Sequence, residues 1–277
     1  MVAIHFKHGH ELNYIYHALS RRLLAGMKLN KKKRQLLIHI PAHRKEEGIS
    51  LIKDVLKRYL LEQKRLEWWQ SILAEDFYYR DQHEQNEIIQ IAQSILQGKR
   101  KDLPVQIEEQ DDIRKIETEL SDVLNNNPDF SFDAFITFRL RFYLEKMGRL
   151  MEIAIDEYKL EQDYQMYLQY LRDYLQKRKP QMKQLHVVDD GHFLFFDEYL
   201  RRMSPEELEV MIDRNLLFSH PVYVDSKTIA PLLSIAPERI VLYTDRPSDP
   251  IVKTLKNIFE EKISIQPRTD FYLVKNE

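Results

Sequence analysis

Across residues 132–178 aromatic and aliphatic side chains recur at helical spacing for longer than anywhere else in the chain, and this stretch most constrains the fold. Phe135, Ile136, Phe142, Tyr143 and Met147 fall on one helical face, with Arg139 in the middle of it. Further on, Ile153, Glu157, Leu160, Tyr164, Tyr167, Leu171 and Tyr174 alternate steps of four and three, the spacing of a helix-packing seam. Glu157 interrupts that seam as Arg139 interrupts the first face. One straight helix over the whole stretch would be about 70 Å long at ~1.5 Å per residue, more than a compact chain of this size comfortably spans. Gly148, the only glycine in the stretch, is the expected break, giving a helical hairpin or bent pair in which the Arg139 face meets the Glu157 face. A buried charge needs a partner, and the planar guanidinium fork can hold a carboxylate through two parallel hydrogen bonds. Arg139 and Glu157 are therefore expected to pair, either to fix helix register or to contact a ligand.

Composition sets the class. Among 277 residues, 43% are hydrophobic, enough for real cores and for two or three domains. Lysine and arginine (42) nearly balance aspartate and glutamate (44), so no global field favours nucleic acid, and that partner is not expected. Cysteine is absent, which excludes disulfides, thiolate metal sites and cysteine nucleophiles and suits a reducing cytosol. The N-terminus carries histidines and a glutamate where a signal peptide needs an unbroken apolar region, and no segment approaches about 18 uncharged apolar residues. The expectation is a soluble, cytoplasmic protein without a membrane partner.

Punctuation divides the chain into four parts. Residues 1–97 read as an α+β unit: a strand at 2–6, a helix with face Leu12, Ile15, Tyr16, Leu19 and Leu23, a strand at 35–40, then helices from Ile49 through Leu73 and over about 84–97. Residues 98–112 turn from basic to acidic, contain a proline and show no apolar period, so they read as a linker. Residues 113–180 form a central helical unit: a helix over roughly 113–124, stopped by Asn125-Asn126-Asn127-Pro128, and then the long stretch, ended by Pro180. In residues 181–277 the period changes. Asp189-Asp190-Gly191 marks a hairpin between strands at 185–188 and 192–196, and Ser204-Pro205-Glu206-Glu207 opens a helix. Strands at 222–224, 239–243 and 262–265 then alternate with helices, as in parallel βαβ units. The expected fold class is α+β: mainly helical, with an N-terminal α+β unit, a central helical hairpin and a C-terminal βαβ unit with a small mixed sheet.

Candidate chemistry is sparse, and no catalytic residue or cofactor is assigned. His8-Gly9-His10-Glu11, with His5 and His17 nearby, has metal-ligand residue types, but the motif is nonspecific and a turn with solvated histidines is favoured. The basic runs Lys31-Lys32-Lys33-Arg34 and Lys177-Arg178-Lys179 read as solubility or cap charge, and Trp68-Trp69 and Phe77-Tyr78-Tyr79 as core. Asp225 and Asp245 follow two expected parallel strands, where ligands of open α/β sheets bind, and such carboxylates can hold Mg²⁺ against a phosphate. They serve equally well as a helix cap and a turn residue, and no glycine-rich phosphate loop, GxSxG or HExxH accompanies them.

Phe138-Arg139-Leu140 with Tyr143-Leu144, then Ile155-Asp156-Glu157-Tyr158, Glu161-x-x-Tyr164 and Leu171-Arg172-x-Tyr174 resemble the central block of the YtxC-like family of endospore-forming bacteria. His186-Val187-Val188, the hairpin, and Ile235-Ala236-Pro237-Glu238-Arg239-Ile240 resemble the later blocks of that family. The resemblance covers roughly residues 132–265. It implies a cytoplasmic Gram-positive protein linked to spore formation and supplies no activity, cofactor or catalytic residue. The leading expectation is a non-enzymatic interaction or scaffold protein with a protein partner. The alternatives are a Mg²⁺-dependent enzyme acting on a phosphate-containing substrate and a nucleic-acid binder.

Overall fold

The buried apolar run Val2-Ala3-Ile4 forms strand β1 (Val2–His5), one of the two inner strands of a sheet whose order is β2-β3-β1-β4. The computed structural model describes residues 1–100, 103, 109–213 and 227–275. β3 (Gln35–His39) runs antiparallel to β1 and places Ile38 opposite Val2 and Leu36 opposite Ile4. All four are buried, so one face of the sheet is dry. The outer strands β2 (Lys28–Lys31) and β4 (Asp129–Ser131) are short and polar and carry no period-two signal, so the sequence did not announce them. β4 lies parallel to β1, which draws in a segment more than a hundred residues away. The lysine run ends β2 and forms its turn to β3.

Helices cover this sheet. α1 (Gly9–Ser20) buries Leu12, Ile15 and Leu19. α2 (Lys45–Tyr59) continues through a π turn, Leu60–Lys64, into α3 (Arg65–Ser71) and a second π turn, Ile72–Asp76. Gly48 lets α2 approach the end of the hairpin: a Cβ there would lie 2.5 Å from Ile40 Cγ2. α4 (Gln82–Leu96) is capped by Asp81, which accepts from the backbone of His83 and Glu84. α5 (Glu109–Asn126) starts four residues before the expected Ile113, since Glu109, Asp111 and Asp112 suit a helix N-terminus. Next come α6 (Phe132–Ala134), a π turn at Phe135–Arg139, and α7 (Arg141–Lys177).

The expected break at Gly148 is not there. The chain leaves helical geometry at Leu140, where φ is −102° and ψ is 18°, and α7 then runs through Gly148 for 37 residues. The hairpin reading failed on its length argument. The chain divides into two compact units, Met1–Leu160 and Glu161–Glu277, and α7 contributes to both, so neither core has to be as long as the helix. Its buried seam also differs from the expected one. Tyr143, Met147, Leu150, Met151, Ala154 and Tyr158 serve the first unit, Tyr167, Leu168, Leu171 and Leu175 serve the second, and Leu160 is 57% exposed.

The second unit is built on a sheet of order β6-β5-β7-β8. β5 (Gln184–Asp189) and β6 (Phe193–Phe196) form the antiparallel hairpin predicted by Asp-Asp-Gly, with Gly191 at φ +78° in the turn. β7 (Arg239–Tyr243) and β8 (Ile263–Gln266) add in parallel. Leu185, Val187, Phe195, Ile240 and Leu242 form one core with α8 (Pro205–Met211), α9 (Ile229–Ile235) and α10 (Pro250–Phe259). Alternate residues Val188, Phe196 and Tyr243 form a smaller cluster with Phe271 of α11 (Arg268–Lys275). Ser204 and Glu207 make the predicted capping box. The expected strand at 222–224, the helix start at Ser226 and Asp225 lie outside the described residues. The whole is a mainly helical α+β fold with two small mixed four-stranded sheets.

Candidate functional site

The histidines at the start, His5, His8, His10 and His17, are exposed as expected, but they lead into a helix whose Glu11 is not. His8 is the N-cap of α1, His10 and Glu11 lie in its first turn, and Glu11 is fully buried. Burial follows from helical phase, because Glu11 and Leu12 both precede Ile15 on the core-facing side. A fully buried carboxylate needs a cation, and the α2–α3 helix supplies one. Along that helix Ile52, Leu56, Leu60 and Lys64 follow at steps of four, then Trp69 at a step of five and Leu73 at four. The wider step accompanies the π turn, in which the Arg65 N–H donates to the Leu60 carbonyl instead of the one four residues back. Lys64 is thereby set on the core-facing row. Its Nζ donates to Glu11 Oε1 at 2.7 Å and to Glu67 Oε2 at 3.0 Å.

Lys64 bridges two carboxylates. Burial opposes its charge, but its hydrogen bonds to Glu11 and Glu67 outweigh burial and hold its pKa above the usual lysine value. His10 Nε2 lies 3.4 Å from Glu67 Oε1, and Glu11 Oε2 is buried without a hydrogen-bond partner. The Tyr59 hydroxyl is likewise buried and unpartnered; burial, reinforced by the negative charge of Glu11 and Glu67, pushes its ionisation well up. His10 and Glu11 were visible as residue types in the sequence. Lys64 and Glu67 were not, since nothing local marks a π turn or shows which remote helix meets α1.

Arg139 and Glu157 are not brought together. Arg139 Nη1 lies 3.2 Å from Glu119 Oε2 and 3.3 Å from Asp122 Oδ2 of α5, with its side chain 46% exposed. Glu157 accepts from Arg100 Nη1 at 3.0 Å. With the break at Leu140, the π turn gives Arg139 a different phase from α7, so no hairpin superimposes the two faces. The Arg139 pair is a surface pair, a class worth about 0–1 kcal/mol.

In the second unit the parallel strands β5 and β7 end at a cluster of carboxylates and arginines. Asp189 Oδ2 accepts from Thr244 Oγ1 at 2.8 Å and its Oδ1 from Arg246 Nη2 at 2.8 Å. Burial alone would raise the pKa of Asp189; the bonds from Thr244 and Arg246 overcome it and hold the carboxyl below its usual range. Arg268 Nη1 donates to Asp190 Oδ1 at 2.7 Å, and its Nε lies 3.2 Å from Asp245 Oδ2. Asp245 is thus a turn residue engaged by an arginine. Beside this cluster, buried His186 accepts from Gln184 Nε2 at 2.8 Å, which leaves its Nδ1 to donate to the Tyr243 hydroxyl at 3.0 Å. Burial lowers its pKa.

Architecture and side-chain chemistry define a mainly helical α+β protein whose polar clusters are largely neutralised from within. The chain belongs to the YtxC-like family, whose model matches residues 50–264. It is 38% identical over 216 residues to the uncharacterized protein YtxC of Bacillus subtilis (strain 168), covering 78% of this chain and 76% of that protein. The similarity therefore begins well before the block at residue 132. No solved structure matches the chain. Among the described residues no helix is long and apolar enough to cross a membrane.

Proposed function

We propose that this chain is a non-enzymatic protein-interaction or scaffold protein acting in the cytoplasm during endospore formation. The observation that carries the interaction reading is α11. It lays Phe271 into the sheet and leaves the three consecutive apolar residues Tyr272, Leu273 and Val274 exposed by 52%, 68% and 43%. Solvent-facing apolar runs of this kind suit a protein partner. Sporulation is supported by family membership together with the blocks around Phe138-Arg139-Leu140 and Ile155-Asp156-Glu157-Tyr158. A cysteine-free chain of 277 residues suits a reducing compartment. Against a Mg²⁺-dependent enzyme, Asp189, Asp190 and Asp245 at the strand ends already pair with Arg246 and Arg268.

The test is complementation of a Bacillus subtilis strain lacking its YtxC relative, read as heat-resistant spores per viable cell. The chain should restore a spore deficit, whereas a Tyr272→Glu, Leu273→Glu variant with an unchanged thermal melt should not. Normal spore counts in the deleted strain would refute the sporulation role. Full complementation by the double variant would refute α11 as the interaction surface.

A further inference from the structure

We propose that His10, Glu11 and Glu67 bind one divalent transition-metal ion of the Zn²⁺ or Mn²⁺ class at the N-terminal end of α1. Each of the three offers a ligand atom, and these atoms all lie within 4.8 Å of one another. A tetrahedral ion with bonds of ~2.1 Å holds its ligand atoms about 3.4 Å apart. His10 Nε2 and Glu67 Oε1 stand at 3.4 Å already. The third ligand atom, from Glu11, lies within 4.8 Å of both.

Glu11 separates this cluster from an ordinary surface group of acids. Its side chain is fully buried, and Oε2 has no hydrogen-bond partner. A buried carboxylate oxygen left unsatisfied is costly, and an ion would satisfy it. Lys64 uses Oε1 of Glu11 and Oε2 of Glu67, which leaves Glu11 Oε2 without a partner and Glu67 Oε1 beside the His10 imidazole. Charge points the same way: two carboxylates against one ammonium leave one negative charge uncompensated. One imidazole and two carboxylates suit Zn²⁺ or Mn²⁺ better than Mg²⁺ or Ca²⁺, which prefer all-oxygen sets. Three protein ligands also leave a coordination position for water. The exposed side of His10 gives an ion access.

This site lies in the first unit and is independent of α11. Its test is titration of the purified full chain with Zn²⁺ and with Mn²⁺ against a chromophoric chelator, alongside His10→Ala and Glu67→Gln. Both replaced side chains are partly exposed, and thermal melts of the metal-free variants check that they fold. The expected result is one equivalent bound by the wild-type chain, with affinity lowered at least tenfold in each variant, and Co²⁺ giving a visible ligand-field spectrum that His10→Ala abolishes. No binding at millimolar metal would overturn the proposal. So would binding that both variants retain in full, which would assign the ion to others of the ten histidines.

Discussion

Glu11 and Lys64 show how one buried charge sets terms for its neighbours. With Glu11 fully buried and the Lys64 side chain 13% exposed, removing the lysine leaves a carboxylate without its cation. Lys64→Ala should therefore lose about 3–5 kcal/mol in urea denaturation, whereas Glu11→Leu combined with Lys64→Met should lose much less, because both desolvation penalties disappear together. Equal losses in the two variants would contradict this account. His186 makes a different prediction. Its folded pKa is lowered by burial, so below the unfolded value of 6.5 the unfolded chain binds more protons than the folded one. That contribution is complete above pH 6.5 and is lost as pH falls. Urea stability measured from pH 7 to pH 5 should decline, and His186→Phe should flatten the decline even if it lowers stability overall.

Helical elements show opposite uses of glycine. Gly48 is required by packing, since a Cβ would stand 2.5 Å from Ile40 Cγ2, a methyl on a β-branched side chain that is stiff at χ1. Gly148 meets nothing within 4 Å and lies inside α7. Gly48→Ala should destabilise the chain by about 1–3 kcal/mol through overpacking, and Gly148→Ala should stabilise it by up to ~1 kcal/mol through helix propensity. Urea midpoints moving in the same direction for both variants would contradict this assignment. The same pair explains one failure of sequence reading. A lone glycine inside an apolar period looks like a hinge, yet three- and four-residue spacing continues on both sides of it, and the real break at Leu140 has an ordinary helix former. Elements with strong local signals were legible: the Asp-Asp-Gly hairpin, the Ser204 capping box, α1 and the helical run from Ile49, whose helix starts at Lys45. β2 and β4 were not, because edge strands of three or four residues with a single apolar side chain each are held only by their neighbours.

At the scale of the whole molecule, charge balance and pairing argue against a polyanion partner. The net charge is −2, Lys31 closes a β-strand with its ammonium over the Tyr16 ring, and many other basic residues are held in ion pairs. Fluorescence anisotropy with duplex DNA at physiological salt should show no binding; tight, steeply salt-dependent binding lost on neutralising Lys31 to Arg34 would contradict this.

What the sequence by itself determined was local: the helical and extended periods, the turns and caps, the mixed α+β class, and the family blocks. These depend on contacts within a few residues, which spacing and residue type encode directly. Only the tertiary structure decided that β4 joins β1, that α7 serves two cores, that Arg139 meets Glu119 while Glu157 meets Arg100, and that Glu11 meets Lys64 and Glu67. Each of these joins residues remote in sequence, and partner choice there rests on summed burial and on the phase shifts of the π turns at Leu60–Lys64 and Phe135–Arg139, neither of which a local pattern records.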